Sequence, residues 1–318
     1  MALARVLVLG LFVVVASLVG AAATGVASPA PRSIPEPGYW LVGGDGGVFA
    51  FGGAHFEGSG APGAGSPGLC AFAFGATINV NAESLANADR VLSRTNCVGI
   101  AGSGANSGYW IANFASLPSA FGFATAPEES GCSGLNGAMD GWSGISATPG
   151  GRGFFLVSVN GGVLDCGDAP PFGGVTNLQL AGSIVGIAST PDGKGYWLVG
   201  ADGGVFAFGD AGFYGSMGEK TLNGPIIGIA ATPDGKGYWL AGADGGVFSF
   251  GDATFFGSMS GKALNRPITG IAANPDGSGY WLVAFDGGVF SFGDAPFEGS
   301  MGGKHIDTAI VGVAAASN

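Results

Sequence analysis

Aspartate is the residue type with which this chain could most readily do chemistry, and it recurs in three series. Asp45, Asp202, Asp244 and Asp286 each precede two glycines; Asp192, Asp234 and Asp276 follow a proline; Asp168, Asp210, Asp252 and Asp294 sit in Gly-Asp-Ala triplets. Carboxylates at regular intervals could ligate calcium or form a ring of acceptors for a ligand. Asp-Gly is equally the chemistry of a tight turn, because Asp hydrogen-bonds its own backbone and Gly takes positive φ. That turn reading leads, since no EF-hand or nonapeptide calcium motif is present, and no metal or other cofactor is expected. If any series binds a ligand, it is Asp45, Asp202, Asp244 and Asp286. Those turns are expected to share a face with the linkers between repeats, such as Gly218 to Pro225.

Other chemistry thins out quickly. Carboxylates that break the repeat (Glu57, Glu83, Asp89, Glu128, Glu129 and Asp140) could do acid/base work on a polysaccharide, for which two are needed. A solvated surface carboxylate is the default for each. The histidines, His55 and His305, join no serine in a nucleophile motif. The glycine loops precede no Lys-Ser or Lys-Thr pair that would cradle phosphate. No catalytic residue is therefore assigned. Cys70, Cys97, Cys132 and Cys166 form no CxxC pair and lie far in sequence from either histidine, so disulfides are expected rather than zinc. Sequence proximity favours Cys70–Cys97 and Cys132–Cys166.

The elements that position these residues come from a repeat of 42 residues. GYWLVGADGGVFAFGDAGFYGS begins at Gly195, GYWLAGADGGVFSFGDATFFGS at Gly237 and GYWLVAFDGGVFSFGDAPFEGS at Gly279. The first copy begins at Gly38, a degenerate one at Gly108 and a weaker one at Gly153. Within a unit, Ile184 to Ser189, Tyr196 to Gly200, Val205 to Phe208 and Phe213 to Met217 each read as a strand, separated by turns. Short connections make them a four-stranded antiparallel meander. The inner strands are apolar on both faces, so each sheet must be covered on both sides. The expected fold is all-β, a six-bladed β-propeller with its small-residue first strands at the axis. The tail Ile310 to Ser317 matches a first strand and Gly38 opens a second strand, so pairing of the two is expected to close the ring. Leu69 to Ala76 faintly echoes a third strand, which leaves seven blades as the alternative. The Tyr-Trp pairs of the repeat could stack on sugars, but their place within apolar strands makes them core.

Composition fits this reading. The chain has 318 residues with 65 Gly and 17 Pro, a share that would suggest disorder were 47% of residues not hydrophobic. Lys+Arg is 11 against Asp+Glu 22, a net charge of -11 with no basic cluster. Nucleic acid and anionic membrane surfaces are thereby poor partners. Residues 1–28 read as a secretory signal with its cleavage region: Arg5, an apolar run from Val6 to Val19, then Ala21 to Ala23. An uncleaved anchor is the alternative, and no membrane span is expected after cleavage. Residues 29–37 form a Pro-rich linker, and 38–318 the propeller, with an irregular insertion at about 61–96. The location expected is extracellular or at the cell envelope, and the protein is expected to be a monomer.

PDGKGYWLVGADGGVF resembles the repeats of secreted actinobacterial β-propeller proteins, which carry GYWLV-x-x-DGGVF-x-FGDA copies. Its PDGK turn is similar to those of TolB-type and YVTN-type propellers. The resemblance covers nearly all of Gly38 to Asn318. It departs at the Gly108 copy, which lacks the DGG turn, and at Asn160, which replaces Asp. It implies a propeller in an extracellular or envelope setting and no defined reaction. Three functions follow as expectations: a non-enzymatic module binding a glycan or protein, a polysaccharide-acting hydrolase, or a purely structural envelope protein.

Overall fold

The structure is a computed structural model and describes residues 37–59, 97–103, 108–113, 118–122, 124, 131–133 and 141–316. The expected signal, most of the Pro-rich linker and the insertion at 61–96 lie outside them. Among the described residues the chain is all-β, and no helix is long and apolar enough to cross a membrane. The strands are β1 Gly38–Gly43, β2 Val48–Gly52, β3 Cys97–Gly102, β4 Gly108–Asn113, β5 Ser119–Gly122, β6 Cys132–Ser133, β7 Trp142–Ala147, β8 Phe154–Ser158 and β9 Val163–Cys166. The remainder are β10 Ile184–Ser189, β11 Gly195–Gly200, β12 Val205–Gly209, β13 Ile226–Ala231, β14 Gly237–Gly242, β15 Val247–Gly251, β16 Ile268–Ala273, β17 Gly279–Ala284, β18 Val289–Gly293 and β19 Ile310–Ala316.

They form six antiparallel sheets among the described residues, a propeller-like arrangement. Five sheets have three strands, ordered β19-β1-β2, β3-β4-β5, β10-β11-β12, β13-β14-β15 and β16-β17-β18. The expected four-stranded meander is thus corrected: Phe213 to Met217 is not a strand. Its backbone is taken by partners outside a ladder. The Trp197 indole donates to the Gly212 carbonyl at 2.7 Å, the Tyr214 amide donates to the Tyr238 hydroxyl at 3.2 Å, and the Tyr238 hydroxyl donates to the Gly215 carbonyl at 2.6 Å. Gly215, at φ 136, also takes the segment out of strand geometry. The sheet that does have four strands is ordered β6-β9-β8-β7, so its outer strand comes from the chain before the meander. A Cys132–Cys166 disulfide ties that strand on, as proximity predicted. Cys97 is also disulfide-bonded; Cys70, its expected partner, lies outside the described residues.

Each middle strand sends alternate residues to opposite faces. Tyr196 and Leu198 of β11 pack against Phe155 and Val157 of β8, whereas Trp197 and Val199 pack against Tyr238 and Leu240 of β14. The rule repeats between each sheet and the next. Ring centroids lie 5.5 Å apart for Trp197–Tyr238, 5.6 Å for Trp239–Tyr280, 5.2 Å for Trp281–Tyr39, 5.4 Å for Trp40–Tyr109, 5.5 Å for Trp110–Phe154 and 5.0 Å for Phe155–Tyr196. These side chains are at most 1% exposed, so the Tyr-Trp series is core and not a sugar-stacking surface. Tilted pairs of this kind add about 0.5–1.5 kcal/mol each beyond area burial.

The first strands of the units lie close together, and glycine makes that possible. A side chain on Gly144 would come 3.3 Å from the Gly186 Cα, one on Gly186 would come 3.5 Å from the Gly228 Cα, and one on Gly312 would come 3.3 Å from the Gly99 Cα. A register shift just before each of Gly99, Gly144, Gly186, Gly228 and Gly270 adds local twist there. β19 pairs along β1 from Gly38↔Ala316 to Val42↔Gly312, joining segments far apart in the chain.

Candidate functional site

The expected aspartate series serves first as turn chemistry. The Oδ1 atoms of Asp45, Asp202, Asp244 and Asp286 accept the amide two residues on, from Gly47 at 2.8 Å, Gly204 at 3.2 Å, Gly246 at 3.0 Å and Gly288 at 3.1 Å. Gly203, between Asp202 and Gly204, has φ 83, which completes the hairpin turn. The structure does not bring the four together; each half-buried carboxylate stays in its own unit. One of them, Asp202, lines an open groove of about 930 Å³ between the linkers that flank the β10–β12 unit.

Hydrogen bonds to the hairpin build that groove. The Met217 amide donates to Gly203, the Lys220 amide to Met217 and the Ile226 amide to Ala201, so the second linker is fastened along the Asp202 turn. Leu178, Phe206 and Leu222 supply apolar lining, and Glu219 and Lys220 bring opposite charges. Glu219 is the one non-glycine residue with positive φ among the described residues, at 64°. Its counterparts one and two repeats later are Gly261 and Gly303, both at φ 74. A side chain there costs about 1 kcal/mol or more. The unit thus gives up stability and gains an exposed carboxylate at the groove.

The Pro-Asp-Gly turns and the Gly-Asp-Ala triplets meet at the opposite ends of the middle strands. Asp192 Oδ1 accepts the Thr190 hydroxyl at 2.8 Å and the Lys194 amide at 3.2 Å, while Lys194 Nζ lies 3.1 Å from Oδ2. The Thr190 hydrogen bond, then those from Lys194, hold the Asp192 carboxyl down at about 2. The Lys236 amide and the Thr232 hydroxyl do the same for Asp234. Asp252 is raised, chiefly by loss of water and then by neighbouring Asp234. Among the described residues no group of His, Cys, Asp or Glu side chains could hold a metal ion.

Sequence reasoning missed Asp165. It lies in β9 opposite Phe155 of β8, at the register position where β15 has Ser249 and β18 has Ser291. It is 3% exposed, its Oδ1 has no hydrogen-bond partner, and burial pushes its carboxyl up to about 7. The same unit has Phe155 in place of the repeat's Trp. Tyr196 feels the carboxylate: burial raises its hydroxyl first, and Asp165 raises it further. The signal was legible, because VLDC aligned on VFAF puts an acid where the other units have Ala or Ser.

Of the repeat-breaking carboxylates, Glu57 is half-buried beside β2, and Glu83, Asp89, Glu128, Glu129 and Asp140 lie outside the described residues. His55 contributes its carbonyl to the Trp40 indole at 2.6 Å, and His305 stands 3.3 Å from Asp307 in full exposure. A second series that sequence reasoning missed is apolar. Phe56, Phe213, Phe255 and Phe297 are 58%, 62%, 56% and 61% exposed, each 18 residues after its unit's first glycine. No protein-family model matches the chain, and no curated protein is significantly similar to it.

Proposed function

We propose that this chain is a secreted six-bladed β-propeller that works as a non-enzymatic binding module, taking an extended protein segment in the groove beside Asp202. The propeller reading is supported by the aromatic pairs that link each sheet to the next, Trp281–Tyr39 included, and by the β1–β19 ladder. The disulfide supports an oxidising compartment.

The groove carries the functional reading. Its lining of leucines with one part-exposed phenylalanine suits apolar side chains of a peptide better than the flat faces of sugar rings. Opposite charges on Glu219 and Lys220 offer partners to either sign on the rim. Chemistry is poorly served. Asp202 gives one oxygen to its own turn, Glu219 is exposed, and the carboxyls raised by loss of water, Asp165 and Asp252, do not line the groove. A general acid needs such a shifted carboxyl at the reacting bond.

The test is retention of the secreted protein on immobilised cell-envelope proteins, peptidoglycan and neutral polysaccharides, with soluble products assayed in the same tubes. Protein retention that Leu222→Ser abolishes, without product release, supports the reading. Product release overturns it, and retention on glycan alone that is sensitive to Leu222→Ser reassigns the groove to a sugar.

A further inference from the structure

We infer that Phe56, Phe213, Phe255 and Phe297 form a second surface, separate from the groove, on which a neutral polysaccharide stacks. Each ring is more than half exposed, whereas the other aromatic positions of these units are buried or partly buried. Leaving one large apolar side chain in water at the same position of four units is costly and, for the core, unnecessary.

The backbone that carries each ring is held in place. The carbonyl before each accepts an indole N–H of its own sheet: His55 from Trp40 at 2.6 Å, Gly212 from Trp197, Thr254 from Trp239 and Pro296 from Trp281, each at 2.7 Å. The glycine two residues after each accepts a tyrosine hydroxyl of the next sheet: Gly215 from Tyr238, Gly257 from Tyr280 and Gly299 from Tyr39, each at 2.6 Å, and Gly58 from Tyr109. The backbone of every exposed phenylalanine is therefore clamped on both flanks, so binding has only the ring's own rotamer to order.

Recurrence and charge choose the occupant. The rings come one per unit, so they do not merge into the contiguous area of about 800 Å² that a protein partner covers. A polymer that repeats its own small apolar faces can engage rings that recur one per unit, and several weak contacts then add through avidity. Three of the rings follow an exposed carboxylate by three residues: Asp210 before Phe213, Asp252 before Phe255 and Asp294 before Phe297. Carboxylates accept hydroxyl hydrogen bonds and repel phosphate, sulfate and anionic headgroups. Aromatic face plus acceptor is the pair a neutral sugar satisfies.

Affinity electrophoresis of the secreted protein tests this in gels containing a neutral β-glucan, galactan or mannan, or the anionic polymer alginate. The expected result is retardation by at least one neutral polymer and none by alginate. The variant with all four phenylalanines changed to Ser should lose that retardation by on the order of 100-fold in apparent affinity, while Leu222→Ser leaves it intact. These positions are exposed, and thermal melting checks that the variant is folded. No retardation by any neutral polymer overturns the inference, as does undiminished retardation of the four-fold variant. A parent dimer in sedimentation that the variant abolishes overturns it too, by making a second copy the occupant. Failure of the groove reading changes only the Leu222→Ser arm, so the two are separable.

Discussion

Replacing Asp165 by Ser, the residue at the same register position in β15 and β18, should stabilise the protein at pH 8 and do so far less, by about 1 kcal/mol at most, at pH 4.5. The carboxyl is 3% exposed and held near 7 by burial, against an ordinary value of 3.8. About three units at about 1.36 kcal/mol each set a ceiling of about 4 kcal/mol. Between pH 4 and 7 the folded state keeps a proton that the unfolded state releases, so the parent loses stability as pH rises through that window and levels off above it. Local water penetration and relaxation reduce the ceiling, and a gain of about 2–4 kcal/mol at pH 8 is expected. Urea unfolding with disulfides intact, at pH 4.5 and 8.0, measures both ends. An equal difference between parent and variant at the two pH values would refute the argument, because it would mean that packing rather than titration separates them. A variant less stable than the parent at pH 8 would mean that Asp165 is paired when charged.

Other changes follow from the same reasoning. Glu219→Gly should stabilise by about 0.5–1 kcal/mol, by removing the side chain from a left-handed position, and a thermal melt would read this as a rise of a few degrees at most. Trp239→Ala should cost about 3–5 kcal/mol, whereas Phe255→Ala should stay within about 0.5 kcal/mol, so paired chemical denaturation separates core aromatics from displayed ones. Cys132→Ser frees β6 and opens a loop of 34 residues; a loss of about 2–4 kcal/mol is expected, and proteolysis should then cut near Gly131 before elsewhere.

The repeat was the most legible part of the fold. Ile184 to Ser189, Tyr196 to Gly200 and Val205 to Phe208 were read to within a residue of β10, β11 and β12, because alternating apolar residues between Asp-Gly turns leave few other conformations. Phe213 to Met217 was misread because it alternates as a strand does. What keeps it from pairing is tertiary: an indole of its own unit claims the Gly212 carbonyl just before it, and a phenol of the next sheet takes the Tyr214 amide and the Gly215 carbonyl. The same alternation puts Phe213, and by the repeat Phe255 and Phe297, in a strand and gives no sign of their exposure. Asp165 and Glu219 were visible as breaks in the repeat, opposite Ser or Ala and opposite Gly, but their burial and backbone angle were not. The groove was the least legible element. It depends on how Leu178 and Leu222, in linkers of irregular composition, approach the Asp202 hairpin.

The ladder between β1 and β19 also sets a timetable. The Tyr39 hydroxyl reaches a carbonyl 260 residues away. At about 5–20 residues per second of synthesis, roughly 15–50 s pass between the emergence of β1 and that of its partner. Throughout that interval β1 carries an unfilled hydrogen-bonding edge and two apolar faces, the combination that recruits strands from other chains. Pairing with other chains is avoided if that edge stays unfolded until β19 is made, and the finished sheet records that delay in its connectivity.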